Sequence, residues 1–367
     1  MILAHFLLSP AEITVVDVRK ISQITGEHDR ERNIATDNQT ETRYGLRGTD
    51  LGASFEHKGK MVFLFGDTHP NGGNTPDRPF DGDAVATSSD RNPDDGLTME
   101  FLKASDGKYS AAKMPSVSLK GFEVPNGGFS DGRSMYGYFT TDHTDTVVMG
   151  RSVLARSENG IDWTKLYDLS TTKFINVAPA VVDTAKVPGL PMSKGQGVLM
   201  WASGEYRRSS PHLAFVPLDK VEDKSAIRYW TGTAWAKTED EAKPLFVHNE
   251  IGEISVAWCE PLKRWLMTYN SGSPRGILLR TAERPSGPWS EPTVLFDPEK
   301  GYGKFIHRPG KDNVHDARRE NEHGGEYGPY MIPRFFRKTD KGATIYFLMS
   351  IWNPYQVVLM RADLERK

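Results

Sequence analysis

Two aspartates, Asp50 and Asp67, stand at the outer ends of two apolar segments in the stretch GTDLGASFEHKGKMVFLFGDTH, which covers residues 48–69. The Lys58-Gly59 pair between the segments predicts a two-residue hairpin turn, because glycine readily adopts the positive φ that such turns require. Counting outward from this turn places Asp50 directly opposite Asp67. The sequence therefore predicts two carboxyl groups side by side at one end of a hairpin.

Such a pair has the raw material for acid–base chemistry. Side chains that face each other across two strands lie about 4.5–5.5 Å apart. Two carboxylates at that distance repel, so one carboxyl group is expected to keep its proton while the other ionises. The protonated group can protonate the leaving oxygen of a glycosidic bond, while the ionised group attacks the anomeric carbon or activates water, and the short separation favours retention of configuration. A bulge would break the facing register, and aspartate is common at strand ends, so a purely structural role stays open.

The elements that must position these acids recur along the chain. Five apolar-aromatic segments of one type end near residues 66, 140, 204, 272 and 350, and helical periodicity is nearly absent. Four-stranded units repeated around an axis make a β-propeller. We therefore predict an all-β fold, a five-bladed β-propeller with four-stranded blades. A pair of β-sandwich domains is the alternative, which the even spacing and the lack of a linker disfavour.

The fifth unit ends at the C-terminus without its fourth strand, and the N-terminal segment EITVVDVRKIS can supply it. Closing the ring in this way removes the sheet edges that invite aggregation. The prediction is a single propeller domain over residues 1–367, with the last blade completed by the N-terminal strand. The predicted blades cover 45–105, 120–170, 174–248, 250–297, and 325–367 together with 11–25.

The innermost strand of each blade is expected to present its polar first residues at one end of the central channel. These residues are Arg47, Asp50, Asn126, Asn176, Glu253 and Tyr327. A buried acid such as Glu253 is costly unless it is paired or functional, so substrate contact or the role of a third acid is expected there.

Two further residues are candidates for substrate binding. Arg207, in SGEYRRSS, can bind a sugar hydroxyl or a carboxylate, or it can be an ordinary solvated ion-pair partner. Trp352, in MSIWNPYQV, can provide a stacking surface for a sugar, and core packing is the alternative. The predicted substrate-binding set is thus Arg47, Asn126, Asn176, Arg207, Glu253, Tyr327 and Trp352.

Composition narrows the classes of partner. The chain of 367 residues has a formal charge of −2, so nothing electrostatic favours nucleic acid or an anionic membrane surface. No apolar run approaches membrane-spanning length, and MILAHFLLSP lacks the basic region and cleavage site of a signal peptide. The single cysteine, Cys259, cannot form an intrachain disulfide. Histidine spacing predicts no metal site, and no cofactor is expected, although a structural cation in the channel stays open.

Nine motifs in order resemble the family labelled domain of unknown function 4185. They are GTDLG with FLFGDT, VPNGGF, RSVLARSENG, FINVAPAVV, SGEYRRSSPHLA, GEISVAW, RTAERPSGPWS, YGPYMIPRF and SIWNPYQV. The resemblance implies a five-bladed propeller. Some members are endo-D-arabinanases, which cut the D-arabinan of mycobacterial arabinogalactan and lipoarabinomannan. Their catalytic acids are the aspartates of the Gly-Thr-Asp-Leu-Gly and Phe-Gly-Asp-Thr motifs, which correspond here to Asp50 and Asp67.

Three functional hypotheses follow from these observations. The first is an endo-acting glycoside hydrolase on α-linked D-arabinofuranan, with a polysaccharide or oligosaccharide as partner and no nucleic acid or membrane insertion. A polysaccharide substrate would place it outside the cytoplasm. The second is a three-acid inverting arabinanase or xylosidase-like hydrolase, with Glu253 or Glu205 as proton donor. The third is a non-catalytic glycan-binding propeller that keeps Arg207 and the aromatic residues for affinity.

Overall fold

The computed structural model describes residues 12–144, 150–316 and 318–367, in which the main β-sheets are arranged as five blades around a central channel. The innermost strand of each blade contacts those of its two neighbours, so the ring is closed. The predicted five-bladed propeller is confirmed. The MILAHFLLSP stretch, on which the signal-peptide prediction rests, lies outside the described residues.

The chain enters the propeller through β1 (Ile13–Gln23), β2 (His28–Asp29), β3 (Ile34–Ala35) and the short helix α1 (Thr40–Tyr44). Blade I contains β4 (Leu46–His57), β5 (Lys60–Pro70), β6 (Val85–Ser88) and β7 (Glu100–Phe101). Blade II contains β8 (Pro125–Ser130), β9 (Met135–Thr141), β10 (Arg151–Ser157) and β11 (Thr164–Ser170). Blade III contains β12 (Asn176–Asp183), β13 (Gln196–Ser203), β14 (His212–Pro217), β15 (Arg228–Trp230) and β16 (Trp235–Ala236).

Blade IV contains β17 (Ile254–Cys259), β18 (Arg264–Gly272), β19 (Arg275–Ala282) and β20 (Thr293–Phe296). Blade V contains β21 (Glu326–Met331), β22 (Arg337–Lys338), β23 (Gly342–Trp352) and β24 (Tyr355–Arg366). Short 3₁₀ helices lie in the connections, at Thr184–Lys186, Leu218–Lys220, Lys224–Ala226, Glu239–Glu241, Glu260–Leu262, Pro298–Lys300 and Pro333–Phe335.

The N-terminal strand completes the last blade, as predicted. Strand β1 pairs antiparallel with β24 from Ile13 opposite Arg366 to Gln23 opposite Val358. The strand order of blade V is therefore β21, β23, β24 and β1, with β22 also on β23. Because β1 and β24 lie in the same sheet, the first and last blades are joined without an open gap.

The core lies between neighbouring blades, and the alternation of strand β5 shows why. Phe63 and Phe65 point to one side and pack with residues of blade V such as Tyr346. Val62 and Leu64 point to the other side and pack against blade II. Because both faces of the blade are covered, the strand is an unbroken apolar run. Each large side chain buried in this way contributes about 1.5–3 kcal/mol.

Candidate active site

The hairpin that carries Asp50 and Asp67 departs from the predicted register. Near the Lys58 turn the strands pair as expected, but Gly52, with a φ of 108°, is an extra residue in β4. Beyond this bulge Asp50 pairs with Gly66. The prediction that Asp50 and Asp67 are direct partners is therefore wrong, because a bulge displaces one strand by one residue. The separation near 5 Å and the preference for retention lose their basis with it.

Asp67 is itself a bulge residue in β5, with a φ of 40°. The backbone hydrogen bonds from β5 to the segment that leads into β6 leave Gly66 and Asp67 together opposite the single residue Asp83. A bulge changes the direction in which a side chain points. Here Asp67 and Asp50 line the same cavity although they are not cross-strand partners.

This cavity has a volume of about 860 Å³ and lies where the inner strands begin. We call it the site mouth. Residues from blades I, IV and V and from the loop after β13 line it. Those that the sequence predicted are Arg47, Asp50, Asp67, Arg207, Glu253, Tyr327 and Trp352.

Two predicted residues, Asn126 and Asn176, are absent from the lining of the site mouth. Both are buried, and their side-chain amides donate hydrogen bonds to nearby backbone carbonyl oxygens. Asn126 Nδ2 donates to the carbonyl oxygen of Val124 at 3.3 Å, and Asn176 Nδ2 donates to that of Gly204 at 3.1 Å. Their position at the head of an inner strand therefore does not bring them to the cavity surface.

Asp50 is held in a largely buried pocket and is 7% exposed. The hydroxyl of Tyr327 donates to Asp50 Oδ2 at 2.8 Å. Burial raises the pKa of Asp50 to about 7, and the negative charge of Glu253 adds to the rise. The Tyr327 hydroxyl and the nearby Tyr355 hydroxyl, which donates to the Asp67 carbonyl oxygen at 2.9 Å, oppose it. Asp50 therefore titrates close to neutrality instead of near its usual 3.8.

Asp67 is partly buried and is fixed by the backbone. Its two carboxylate oxygens both face the Phe122 N–H, which donates to them at 2.9 and 3.0 Å. Burial and then the charge of Asp50 raise the pKa of Asp67 well above its usual value, against the effect of the Phe122 hydrogen bond. The groups that shift the pKa values of the two acids include no cation, so the pair ionises less readily than two isolated aspartates.

A third carboxyl group, Asp83, lies behind this pair and was missed by the sequence analysis. Its side chain is fully buried, and the backbone N–H of Asp67 lies close enough to favour its ionised form. Burial and then the charges of Asp67 and Asp50 raise its pKa well above the usual range. The segment DAVATSSD carried the signal, since pairing it against FLFGD places Asp83 beside Asp67.

Glu253 enters the site mouth from blade IV and is 7% exposed. Its Oε1 accepts the Tyr206 hydroxyl at 2.9 Å, and its Oε2 accepts the Gly328 N–H at 3.4 Å. The other acid considered as a proton donor, Glu205, pairs with Arg208 at 3.0 Å and does not line the cavity. Glu253 is thus the one of these two acids that lies with Asp50.

Aromatic and basic side chains surround the acids. Phe122, which the sequence analysis did not single out, is 55% exposed at the mouth. Trp352 is partly buried, with the guanidinium of Arg319 at 4.7 Å from its ring centre, so one face of the indole is occupied. Arg207 lies 4.9 Å from the Tyr206 ring centre and adopts a φ of 56°, a conformation that non-glycine residues rarely hold.

The described ranges contain no group of three or more His, Cys, Asp or Glu side chains arranged to hold a metal ion. The structural cation in the channel stays a prediction. Among the same residues, no helix has the length and apolar character needed to cross a membrane.

Comparison with known proteins gives one family and several more distant similarities. The profile of the family described as "Domain of unknown function (DUF4185)" matches residues 35–361. The chain is 28% identical over 306 residues to Notoamide biosynthesis cluster protein J' of Aspergillus versicolor, covering 76% of this chain and 81% of that protein. It is 27% identical over 310 residues to Notoamide biosynthesis cluster protein J of Aspergillus sp. (strain MF297-2), covering 75% and 79%.

Among solved structures, a glycosyl hydrolase from Bacteroides ovatus aligns with a TM-score of 0.47 and 15% identity, over 86% of this chain and 84% of that chain. The α-L-arabinofuranosidase of Podospora anserina in complex with cellotriose aligns with a TM-score of 0.44 and 11% identity, over 87% and 92%. Similarities of this extent carry no inference about the reaction, which must be argued from the site itself.

Proposed function

The chain belongs to the family of the domain of unknown function 4185, and we propose that it is a glycoside hydrolase that cleaves its substrate between Asp50 and Asp67. One observation carries the proposal. Two carboxyl groups share one cavity, and neither forms an ion pair with a described residue. The pKa of Asp50 is raised to about 7 and that of Asp67 well above its usual value. Such groups can hold and release a proton at the pH where glycosides are cleaved.

The environments of the two acids differ, and the difference suggests their roles. Asp50 accepts a hydroxyl donor, which stabilises its ionised form, and it loses its proton near pH 7. Asp67 holds its proton more strongly than an ordinary carboxyl group, because burial and then the charge of Asp50 raise its pKa. We assign Asp67 as the acid that protonates the leaving oxygen and Asp50 as the carboxylate that attacks the anomeric carbon or activates water.

For the substrate we propose an α-linked D-arabinofuranan cut at internal positions, as in arabinogalactan or lipoarabinomannan. The motifs around Asp50 and Asp67 support this, since they resemble those of endo-D-arabinanases. A cavity of about 860 Å³ is within the range of sites that enclose a small-molecule ligand. Hydrolysis by two carboxyl groups consumes only water, so the proposed reaction requires no cofactor.

The test is incubation of the protein with purified arabinogalactan and lipoarabinomannan, followed by chromatography of the products. Short arabino-oligosaccharides are expected from both. Release of arabinose alone would replace internal cutting by cutting from chain ends. Binding measured by calorimetry, without new reducing ends after prolonged incubation, would overturn the hydrolase proposal in favour of a glycan-binding propeller.

A second candidate uses three acids, and the position of Glu253 in the site mouth favours it. In that mechanism Glu253 donates the proton, and the reaction inverts the anomeric carbon. Glu253→Gln would then abolish turnover as fully as Asp50→Asn, and proton NMR would show the inverted product. Under the two-acid proposal Glu253→Gln retains measurable turnover, because Asp67 still supplies the proton.

A further inference from the structure

The two oxygens of Asp50 have different surroundings. Oδ1 is enclosed against Gly66, where a Cβ atom would come within 2.9 Å of it, and it has no hydrogen-bond partner among the described residues. Oδ2 receives the Tyr327 hydroxyl at 2.8 Å. Oδ2 is therefore the oxygen through which Asp50 can meet a substrate, and its position depends on Tyr327.

Tyr327 is fixed relative to Asp50 by the neighbouring strands. The next residue, Gly328, donates its N–H to Glu253 Oε2 at 3.4 Å, which ties the segment to blade IV. Tyr327 pairs with Ser350, and the Ser350 hydroxyl accepts the Leu51 N–H at 2.7 Å. This single serine links the strand of Tyr327 to the residue beside Asp50. The spacing between phenol and carboxylate is thus set by strand pairing and by backbone hydrogen bonds to the side chains of Glu253 and Ser350.

We propose that Tyr327 is a positioning residue that orients Asp50 Oδ2 and favours the ionised form of this carboxyl group. The sequence predicts for Tyr327 only a role in substrate binding. A hydroxyl donates a stronger hydrogen bond to a carboxylate than to a neutral acid, so its gain is largest when Asp50 is charged. The role in turnover rests on the proposed function, whereas the effect on Asp50 ionisation does not.

Other groups near Asp50 raise or lower its pKa, and the test must separate their effects from that of Tyr327. They are the carboxyl groups of Asp67, Asp81, Asp83 and Glu253, the phenols of Tyr330 and Tyr355, and the guanidinium of Arg47 on the cavity wall. Tyr327→Phe leaves all of them in place. It removes one oxygen atom and keeps the ring.

The experiment compares wild type with Tyr327→Phe after labelling the aspartate side-chain carboxyl carbons with ¹³C. The signal of Asp50, assigned by its loss in Asp50→Asn, is titrated by NMR in each protein. We expect the Asp50 midpoint to rise by about one pH unit or more in Tyr327→Phe, since a hydrogen bond to a charged group is lost. Site-specific 3-fluorotyrosine at position 327, a more acidic phenol, is expected to shift the midpoint in the opposite direction.

Turnover provides the second measurement. Tyr327→Phe is expected to lower kcat roughly 10- to 100-fold with little change in KM, and to move the acid limb of kcat/KM to higher pH. The matched control is Tyr136→Phe, which removes a phenol bonded to Asp131 and Glu222 away from the site mouth and should change neither the limb nor kcat.

An unchanged or lowered Asp50 midpoint in Tyr327→Phe would overturn the inference, as would unchanged turnover in an active enzyme. The fluorotyrosine protein keeps the test valid if Tyr327→Phe does not fold. Wild-type protein that cleaves no glycan, but whose Asp50 midpoint responds as expected, would refute the proposed function and leave the hydrogen-bond assignment standing.

Discussion

The two ends of the channel differ in how their carboxyl groups are paired. At the end opposite the site mouth, where the inner strands finish, a cavity of about 1000 Å³ is lined by residues such as Val256 and Met331. We call it the opposite mouth. Each of its four carboxylates has a cation: Glu56 pairs with Arg334, Glu260 with Lys263, Asp183 with Lys186 and Glu283 with Arg264. In the site mouth, the hydrogen-bond donors to Asp50 and Asp67 from the described part of the chain are uncharged.

For acid–base chemistry, the pairing of the carboxyl groups matters more than the volume of the cavity. The opposite mouth is the larger of the two cavities, yet its acids are exposed to solvent and ion-paired. A carboxylate beside a cation stays ionised and gives up no proton at neutral pH. Acid–base chemistry therefore has a place at one end of the channel, and substitutions at the two ends should have unequal consequences.

The largest expected effect is loss of turnover on neutralising an acid of the site mouth. Asp67→Asn should lower kcat/KM roughly 10²–10⁴-fold, because the leaving oxygen is no longer protonated, and Asp50→Asn should lower it at least as much. Reducing-end assays on arabinogalactan measure both. Glu56→Gln, in the opposite mouth, is the matched control and should stay within about twofold of wild type. Equal losses in all three variants would erase the distinction between the two mouths.

The next effect is on the pH profile of the wild-type enzyme. Because burial raises the pKa of Asp50 to about 7, kcat/KM should rise as pH increases through about 7, where Asp50 ionises. Loss of the Asp67 proton should in turn lower kcat/KM. A rate profile already flat from pH 5 upward would mean that Asp50 ionises like an ordinary carboxyl group.

The free energy of unfolding should also depend on pH, because the buried carboxyl group of Asp83 ionises with difficulty in the folded protein. Its folded-state pKa is raised, so the stability linked to its protonation is fully present below its usual pKa and is lost as pH rises through the folded-state pKa. The free energy of unfolding should fall by up to about 1.4 kcal/mol per pH unit for each such group. Urea unfolding between pH 5 and 8 should show a shallower fall in Asp83→Asn than in wild type.

The control for this experiment is Asp106→Asn. Asp106 is exposed and bonded to Arg78, whose hydrogen bond lowers the pKa of Asp106, so it is already ionised throughout the range. Asp106→Asn should therefore leave the pH dependence of the free energy of unfolding unchanged. A slope identical in wild type and Asp83→Asn would show that Asp83 carries no extra proton in the folded state.

The smallest expected effect concerns substrate affinity at the rim of the site mouth. Phe122→Ala removes an exposed ring and should raise KM several-fold, by about 0.5–1.5 kcal/mol of lost aromatic contact, with kcat less affected. Trp352→Ala should do the same or less, since Arg319 already covers one face. Steady-state kinetics on arabino-oligosaccharides measure this. A lowered kcat at constant KM would assign Phe122 to holding Asp67 instead.

Much of the fold was predictable because strands of one type recur at even spacing. The five blades and the N-terminal closing strand follow from that pattern. The heads of the inner strands line one cavity, as expected from their position, except that Asn126 and Asn176 direct their side-chain amides to the backbone. The position of these two asparagines in the sequence does not show whether their side chains point to the cavity or to the backbone.

The register of the acids was not predictable in the same way. A bulge at Gly52 depends on how the chain packs, where a Cβ atom would lie 2.6 Å from Leu348 Cδ1 and 3.2 Å from Phe65. The positive φ of Asp67 depends likewise on its neighbours. Local propensity describes a straight hairpin, whereas tertiary contacts with blade V decide where it bulges.

The most direct test is a ¹³C titration of the aspartate carboxyl groups of the wild-type protein, since the account depends on a protonated acid in the site mouth at neutral pH. We expect an aspartate signal with a midpoint near pH 7 that disappears in Asp50→Asn and persists in Glu56→Gln. If every aspartate signal titrates below pH 5, the site mouth holds no such acid and the proposed chemistry is contradicted.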